Sequence, residues 1–124
     1  MTDAMCQTYF QGMQNTKLQF LNISWNQITG SSMEYLVQVL HQNQDLERLA
    51  MQHNRLADAD LTQFGSAIES HRSLNYLDVS ANKIGNQEFV KLFQAVSRSQ
   101  ISTFHFRKNR IGGNKIDHVL FCRS

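Results

Sequence analysis

Proline is absent from the 124 residues, and cysteine (two) and tryptophan (one) are scarce. No proline-rich linker divides the chain, and asparagine and glutamine are spread through it rather than clustered, so no low-complexity segment stands out. Apolar runs are only a few residues long, too short for a membrane-spanning helix. The first residues, MTDAMCQTYFQGMQ, lack a basic start and an apolar stretch, so no secretory signal is read there. Five histidines (His41, His53, His71, His105 and His118) occur without a second histidine or a cysteine at ligand spacing, which argues against zinc and leaves no cofactor to expect. Neither Cys6 nor Cys122 has an evident His–carboxylate partner, and no phosphate loop is present: Gly112-Gly113 stands where a turn is due. The chain reads as a non-enzyme.

What is present is a recurrent spacing. Leu74, Leu77, Val79, Asn82 and Ile84 repeat the pattern of Leu18, Leu21, Ile23, Asn26 and Ile28. It returns at Leu46, Leu49, Met51, Asn54 and Leu56, and at Ile101, Phe104, Phe106, Asn109 and Ile111. The starts lie 28, 28 and 27 residues apart, a period of stacked-repeat architectures. The apolar pair Leu77 and Val79 brackets a polar Asp78, which is the period of a short strand with one buried face. The asparagine three residues later can donate and accept where the chain leaves the strand.

A helical period follows each turn. The core sets are Met33, Leu36, Val37 and Leu40; then Leu61, Phe64, Ala67 and Ile68; then Phe89, Leu92, Phe93 and Val96. Ser31 or Ser32, Asp58 and Asn86 stand at the N-cap positions. Tyr9, Phe10 and Met13 predict an apolar helix face over residues 1–16 that covers the first core layer. Ile116, Val119 and Leu120 predict the start of a fourth helix, with an open edge beyond it. The expected fold is α/β: a right-handed solenoid of about four 28-residue strand–helix repeats with an N-terminal helical cap. The expected division is one domain over 1–124, with a cap at 1–16 and repeats at 17–44, 45–72, 73–99 and 100–124. The ends of a stack do not meet, so Cys6 and Cys122 are expected as free thiols of a reducing compartment, with a cross-chain link left open.

These residues resemble a leucine-rich repeat protein. The pattern L-x-x-L-x-L-x-x-N-x-L is met at Leu18–Ile28, Leu46–Leu56, Leu74–Ile84 and Ile101–Ile111. A full helix per repeat is similar to the ribonuclease-inhibitor-like class. The resemblance implies a non-enzymatic module that binds another protein on its concave strand face. A short chain rich in Asn and Gln also resembles repeat proteins that intracellular bacteria deliver into host cells. Two alternatives follow: a self-associating adaptor or delivered effector that assembles through an open C-terminal end, and a regulator of a small GTPase. A cytoplasmic location, of the cell or of a host, is the corresponding expectation.

Alternation places every second strand residue on the concave face. The partner-binding candidates are Phe20, Trp25, Arg48, His53, Tyr76, Asp78, His105, Arg107 and Lys108. Phe20, Trp25, Arg48 and Tyr76 are of the types that dominate interface hot spots. The competing reading for Phe20 and Trp25 is packing against the cap. Charge is uneven: residues 1–60 balance at −3, residues 61–97 at zero, and residues 98–124 at +5. The basic end (His105, Arg107, Lys108 and Arg110) points to an acidic partner. Nucleic acid is the lesser reading, because no aromatic-interleaved module accompanies the charge.

Overall fold

A computed structural model of the chain describes residues 2–12, 17–57, 59–109 and 120–122. The expectations for Met13, Asp58, Arg110, Ile111, Gly112-Gly113, Ile116, His118 and Val119 lie outside the described residues.

The alternating stretches form three-residue strands: β1 (Phe20–Asn22), β2 (Arg48–Ala50), β3 (Tyr76–Asp78) and β4 (Thr103–His105). They pair in parallel and in chain order, with Leu21 beside Leu49, Leu49 beside Leu77 and Leu77 beside Phe104. Backbone bonds carry the ladder past the strands. The Ile23 N–H donates to Ala50 O, Met51 to Asp78 O and Val79 to His105 O, each at 2.9 Å. The helices between them are α2 (Met33–Gln42), α3 (Thr62–Ser70) and α4 (Asn86–Ser97). Each packs against the next.

The core is a set of rows that run across the repeats. Leu21, Leu49, Leu77 and Phe104 form one buried row, and Ile23, Met51, Val79 and Phe106 form the next. The helices close the other side with a common pattern. Met33, Leu36, Val39 and Leu40 are buried, as are Leu61, Phe64, Ala67 and Ile68, and Phe89, Leu92, Ala95 and Val96. Two expected core residues are thereby replaced: Val37 is half-buried and Phe93 lies at the surface rim. The buried set is i, i+3, i+6, i+7, a stripe about 120° wide at 3.6 residues per turn. Phe104 and Phe106 fill a bulkier last layer with Phe89, whose ring centroid is 4.6 Å from that of Phe106.

The N-terminal helix α1 (Asp3–Gln11) packs on α2 and the turn before it, and of Tyr9 and Phe10, expected on its apolar face, only Phe10 is buried. Cys6 and Phe10 are buried while Tyr9 is 49% exposed. Asp3 fastens this helix to the first repeat. Its carboxylate accepts from the Thr29 N–H at 3.0 Å and from the Thr29 and Ser32 hydroxyls. Burial pushes the Asp3 pKa up, but the bonds from Ser32 and Thr29 outweigh it and the pKa is lowered. Ser32 is thus spent on the cap rather than on its own helix, which has no side-chain cap. Asn86 is the first residue of α4, and Gly85 takes the N-cap place. The first N–H of the α3 end, at Leu61, donates to Glu88 Oε1 at 2.8 Å, a cap supplied by the following helix.

The end of the chain departs from the expectation. Leu120 belongs not to a helix but to β5 (Leu120–Cys122), antiparallel to β4 with Phe121 opposite Phe104. A helix there would leave the backbone groups of β4 unpaired, and strand pairing satisfies them.

Two columns of polar side chains hold the turns. At the strand exits, Asn54 Nδ2 donates to Ile23 O at 3.0 Å and to Met51 O at 3.1 Å. Asn82 Nδ2 reaches Met51 O at 2.9 Å and Val79 O at 3.0 Å, and Asn109 Nδ2 reaches Val79 O and Phe106 O. The second column lies at the helix-to-strand returns, at Asn43, His71 and Ser99, all buried. Asn43 Nδ2 and Ser99 Oγ donate back to Val39 O and Val96 O. His71 Nδ1 accepts from the N–H groups of Ser73 and Leu74 while Nε2 lies 2.8 Å from Asn43 O. That arrangement requires the neutral Nε2–H tautomer, and burial holds the His71 pKa below its ordinary value.

Candidate functional site

In-register parallel pairing places Phe20, Arg48, Tyr76 and Thr103 side by side on neighbouring strands. Adjacent strands are about 4.8 Å apart, within reach of long side chains. The Arg48 guanidinium lies between two rings, 5.4 Å from the Phe20 centroid and 4.7 Å from that of Tyr76. On its far side Tyr76 meets His105, with centroids 5.4 Å apart. Four of the expected binding residues therefore form one continuous run: Phe20, Arg48, Tyr76 and His105. Phe20 is 51% exposed, so core packing does not consume it. The Tyr76 pKa is raised by burial and by the Asp78 carboxylate, against the effect of Arg48, which keeps the phenol protonated.

A second pair forms further along. Trp25 stacks on His53 with centroids 3.5 Å apart and rings 10° from parallel. Trp25 is 73% exposed. The alternative of packing against the cap does not hold for it, since α1 lies on α2 and the turn before it. Trp25, His53, Ala81 and Lys108 occupy equivalent places and all have left-handed backbone, with φ of 62°, 59°, 57° and 57°. The chain turns out of each strand there, and glycine is used at none of the four. Such backbone is uncommon for a bulky residue and costs about 1 kcal/mol or more per site.

Asp78 is the least available of the candidates. It is buried, and its carboxylate accepts from the Ser80 N–H at 2.9 Å. Asn22 makes the same bond to Ser24 N–H at 3.0 Å. Arg107 and Lys108 follow β4 and are exposed. Among the described residues, no ion pair involves Arg48, Arg107 or Lys108. The ion pairs there join Arg72 to Asp45, Lys91 to Asp60 and Glu88, and Arg98 to Glu69. A groove of about 1120 Å³ lies beside the Trp25–His53 pair and is lined by Gln27, Arg55, Asp60 and Lys83 among others. It does not include Arg48 or Tyr76. Among the described residues no three His, Cys, Asp or Glu side chains gather as a metal site, and no helix is long and apolar enough to cross a membrane.

The Leucine Rich repeat family model matches residues 14–37 and 70–87. These two segments are similar to leucine-rich repeats. The first match runs through β1 into α2, and the second runs from the end of α3 through β3 into α4. No curated protein matches the chain. Leucine-rich repeats generally mediate protein–protein interaction and are typically non-enzymatic. The residues that define these repeats are the buried rows and the asparagine column, which identify the fold and leave the exposed side chains to specify a partner.

Sequence reasoning put Phe20, Arg48 and Tyr76 on one strand face, in keeping with their register, but did not foresee which candidates touch. It missed the column of Asn43, His71 and Ser99, whose 28-residue spacing was the available signal.

Proposed function

We propose that this chain is a non-enzymatic module that binds another protein on its concave strand face. The observation that carries this reading is the run of Phe20, Arg48 and Tyr76, an apolar and cationic surface on the side of the sheet that the core does not use. Large rings lose little entropy on binding for the area they offer, and arginine adds a fork of charged donors, which is why both concentrate binding energy. The reading takes the chain as one domain: a cap over 1–16 and four right-handed repeats of the ribonuclease-inhibitor-like class. The partner contacts are assigned to Phe20, Trp25, Arg48, His53, Tyr76, His105, Arg107 and Lys108, with Asp78 holding the turn beneath them.

A photo-crosslinker at exposed Asn22 on β1, compared with one at exposed Gln38 on α2, tests the face. Adducts to a partner are expected from position 22 and not from position 38. Adducts from position 38 alone would reject the concave face.

A further inference from the structure

The charge on the strand face is of one sign. Arg48, Arg107 and Lys108 are exposed there, with His53 and His105 between them. The single carboxylate among them, Asp78, is buried and already accepts a backbone N–H. The acidic side chains that form ion pairs, Asp45, Asp60, Glu69 and Glu88, lie in return turns, before helices or on them. The cations of this face thus form no ion pair among the described residues; Lys17, Arg55 and Lys83 elsewhere form none either, nor does the exposed Glu47 that precedes Arg48 in the chain.

Arg48 is also oriented. The rings of Phe20 and Tyr76, on the strands to either side, have centroids 5.4 Å and 4.7 Å from its guanidinium carbon and restrict where the side chain can go. Its N–H donors form no ion pair among the described residues, and that fork matches a carboxylate. The second cationic group, Arg107 with Lys108, lies two strands across and four residues along. By strand spacing and rise this is roughly 16 Å, or about five residues of extended chain.

We propose that the occupant of this face is an extended acidic segment of a partner protein, with one carboxylate on Arg48 and a second about five residues away on Arg107 and Lys108. The proposal rests on the concave-face reading and adds the chemistry of the partner. Apolar groups beside the first carboxylate meet Phe20 and Tyr76. His105, against the Tyr76 ring, lies between the two anchors.

Fluorescence anisotropy with the full chain and a labelled synthetic peptide of about fifteen residues tests it. The peptide carries two glutamates five residues apart in a glycine–serine background with one leucine beside the first. Its counterpart has both glutamates replaced by glutamine. The glutamate peptide is expected to bind about tenfold or more tightly than the glutamine peptide, the scale of a charged hydrogen-bonded contact. Arg48→Gln is expected to remove that preference, Arg48→Lys to remove most of it, and the double variant Arg107→Gln, Lys108→Gln to reduce it. All three positions are exposed, so the variants fold, and an unchanged circular dichroism melt checks this. Equal affinity for the two peptides, or a preference that survives Arg48→Gln, would overturn the assignment. The crosslinker at position 22 separates this failure from failure of the face itself. Adducts at position 22 without acidic preference leave the face and reject the acidic segment, and no adducts at position 22 reject both.

Discussion

The guanidinium of Arg48 lies 4.7 Å over the ring of Tyr76, its neighbour on the next strand. The contact is lateral, between repeats, and joins an exposed arginine to a half-buried tyrosine. A cation–π contact at such a site contributes about 0.5–1 kcal/mol. Tyr76→Ala and Arg48→Ala are therefore expected to shift a urea midpoint only slightly, while each removes partner binding. A variant that lost both folding and binding together would mean that the run is part of the scaffold.

Asn82 is fully buried and donates to carbonyls of two successive repeats. Asn82→Ala leaves Met51 O and Val79 O without that donor and is expected to cost about 2–4 kcal/mol. Asn26 donates to Ile23 O and Ser24 O, within its own turn. Asn26→Ala is expected to cost about 1 kcal/mol. Paired urea titrations compare them, and equal costs would remove the cross-repeat role of Asn82.

His71 gives stability a pH dependence. Protonation would break the bonds from Ser73 and Leu74, and the folded pKa lies below the ordinary 6.5. The unfolded chain therefore binds the proton first. The contribution is full above pH 6.5 and is lost as pH falls from there to the lowered folded value. Asp3, with its folded pKa below 3.8, has the same sign in a separate window below that pH. Urea midpoints measured down from neutral pH should decline first in the histidine window, and His71→Asn should flatten that decline. An unchanged slope in His71→Asn would assign the effect to another group.

Gly30 and Gly85 should respond oppositely to alanine. A Cβ on Gly30 would sit 2.8 Å from the Ala59 Cα, a backbone atom that cannot step aside. Gly30→Ala is expected to destabilise by about 1–3 kcal/mol. A Cβ on Gly85 meets nothing within 4 Å, and its φ of −85° suits alanine. Gly85→Ala is expected to be neutral or to stabilise by up to about 1 kcal/mol. Thermal melts of the two variants decide it; a stable Gly30→Ala would show that the two turns can separate.

Much of the scaffold was legible because strand alternation leaves no choice of face. Leu21 and Ile23 must be buried together, and so must every pair that follows them. Helix faces were less legible. Val37 and Phe93 have core-like spacing with their neighbours, yet Val39 and Ala95 are the buried ones, because the rotation of a helix is set by what it packs on. Leu120 carries a helical period, and the open edge of β4 overrides it. The shared strand face of the candidate residues was legible and their contacts were not. Phe20 and Tyr76 are 56 residues apart in the chain, and only the register brings Arg48 between them.

The asparagine column has a direction. Asn54 reaches back to Ile23, Asn82 to Met51 and Asn109 to Val79, so each junction is completed by the repeat that comes later in the chain. During synthesis the earlier repeat emerges first and lacks that donor. Its turn carbonyl has only the bond from its own asparagine until the next repeat has left the ribosome and closed over it. Order of assembly is written into the bonds: each repeat is finished by its successor.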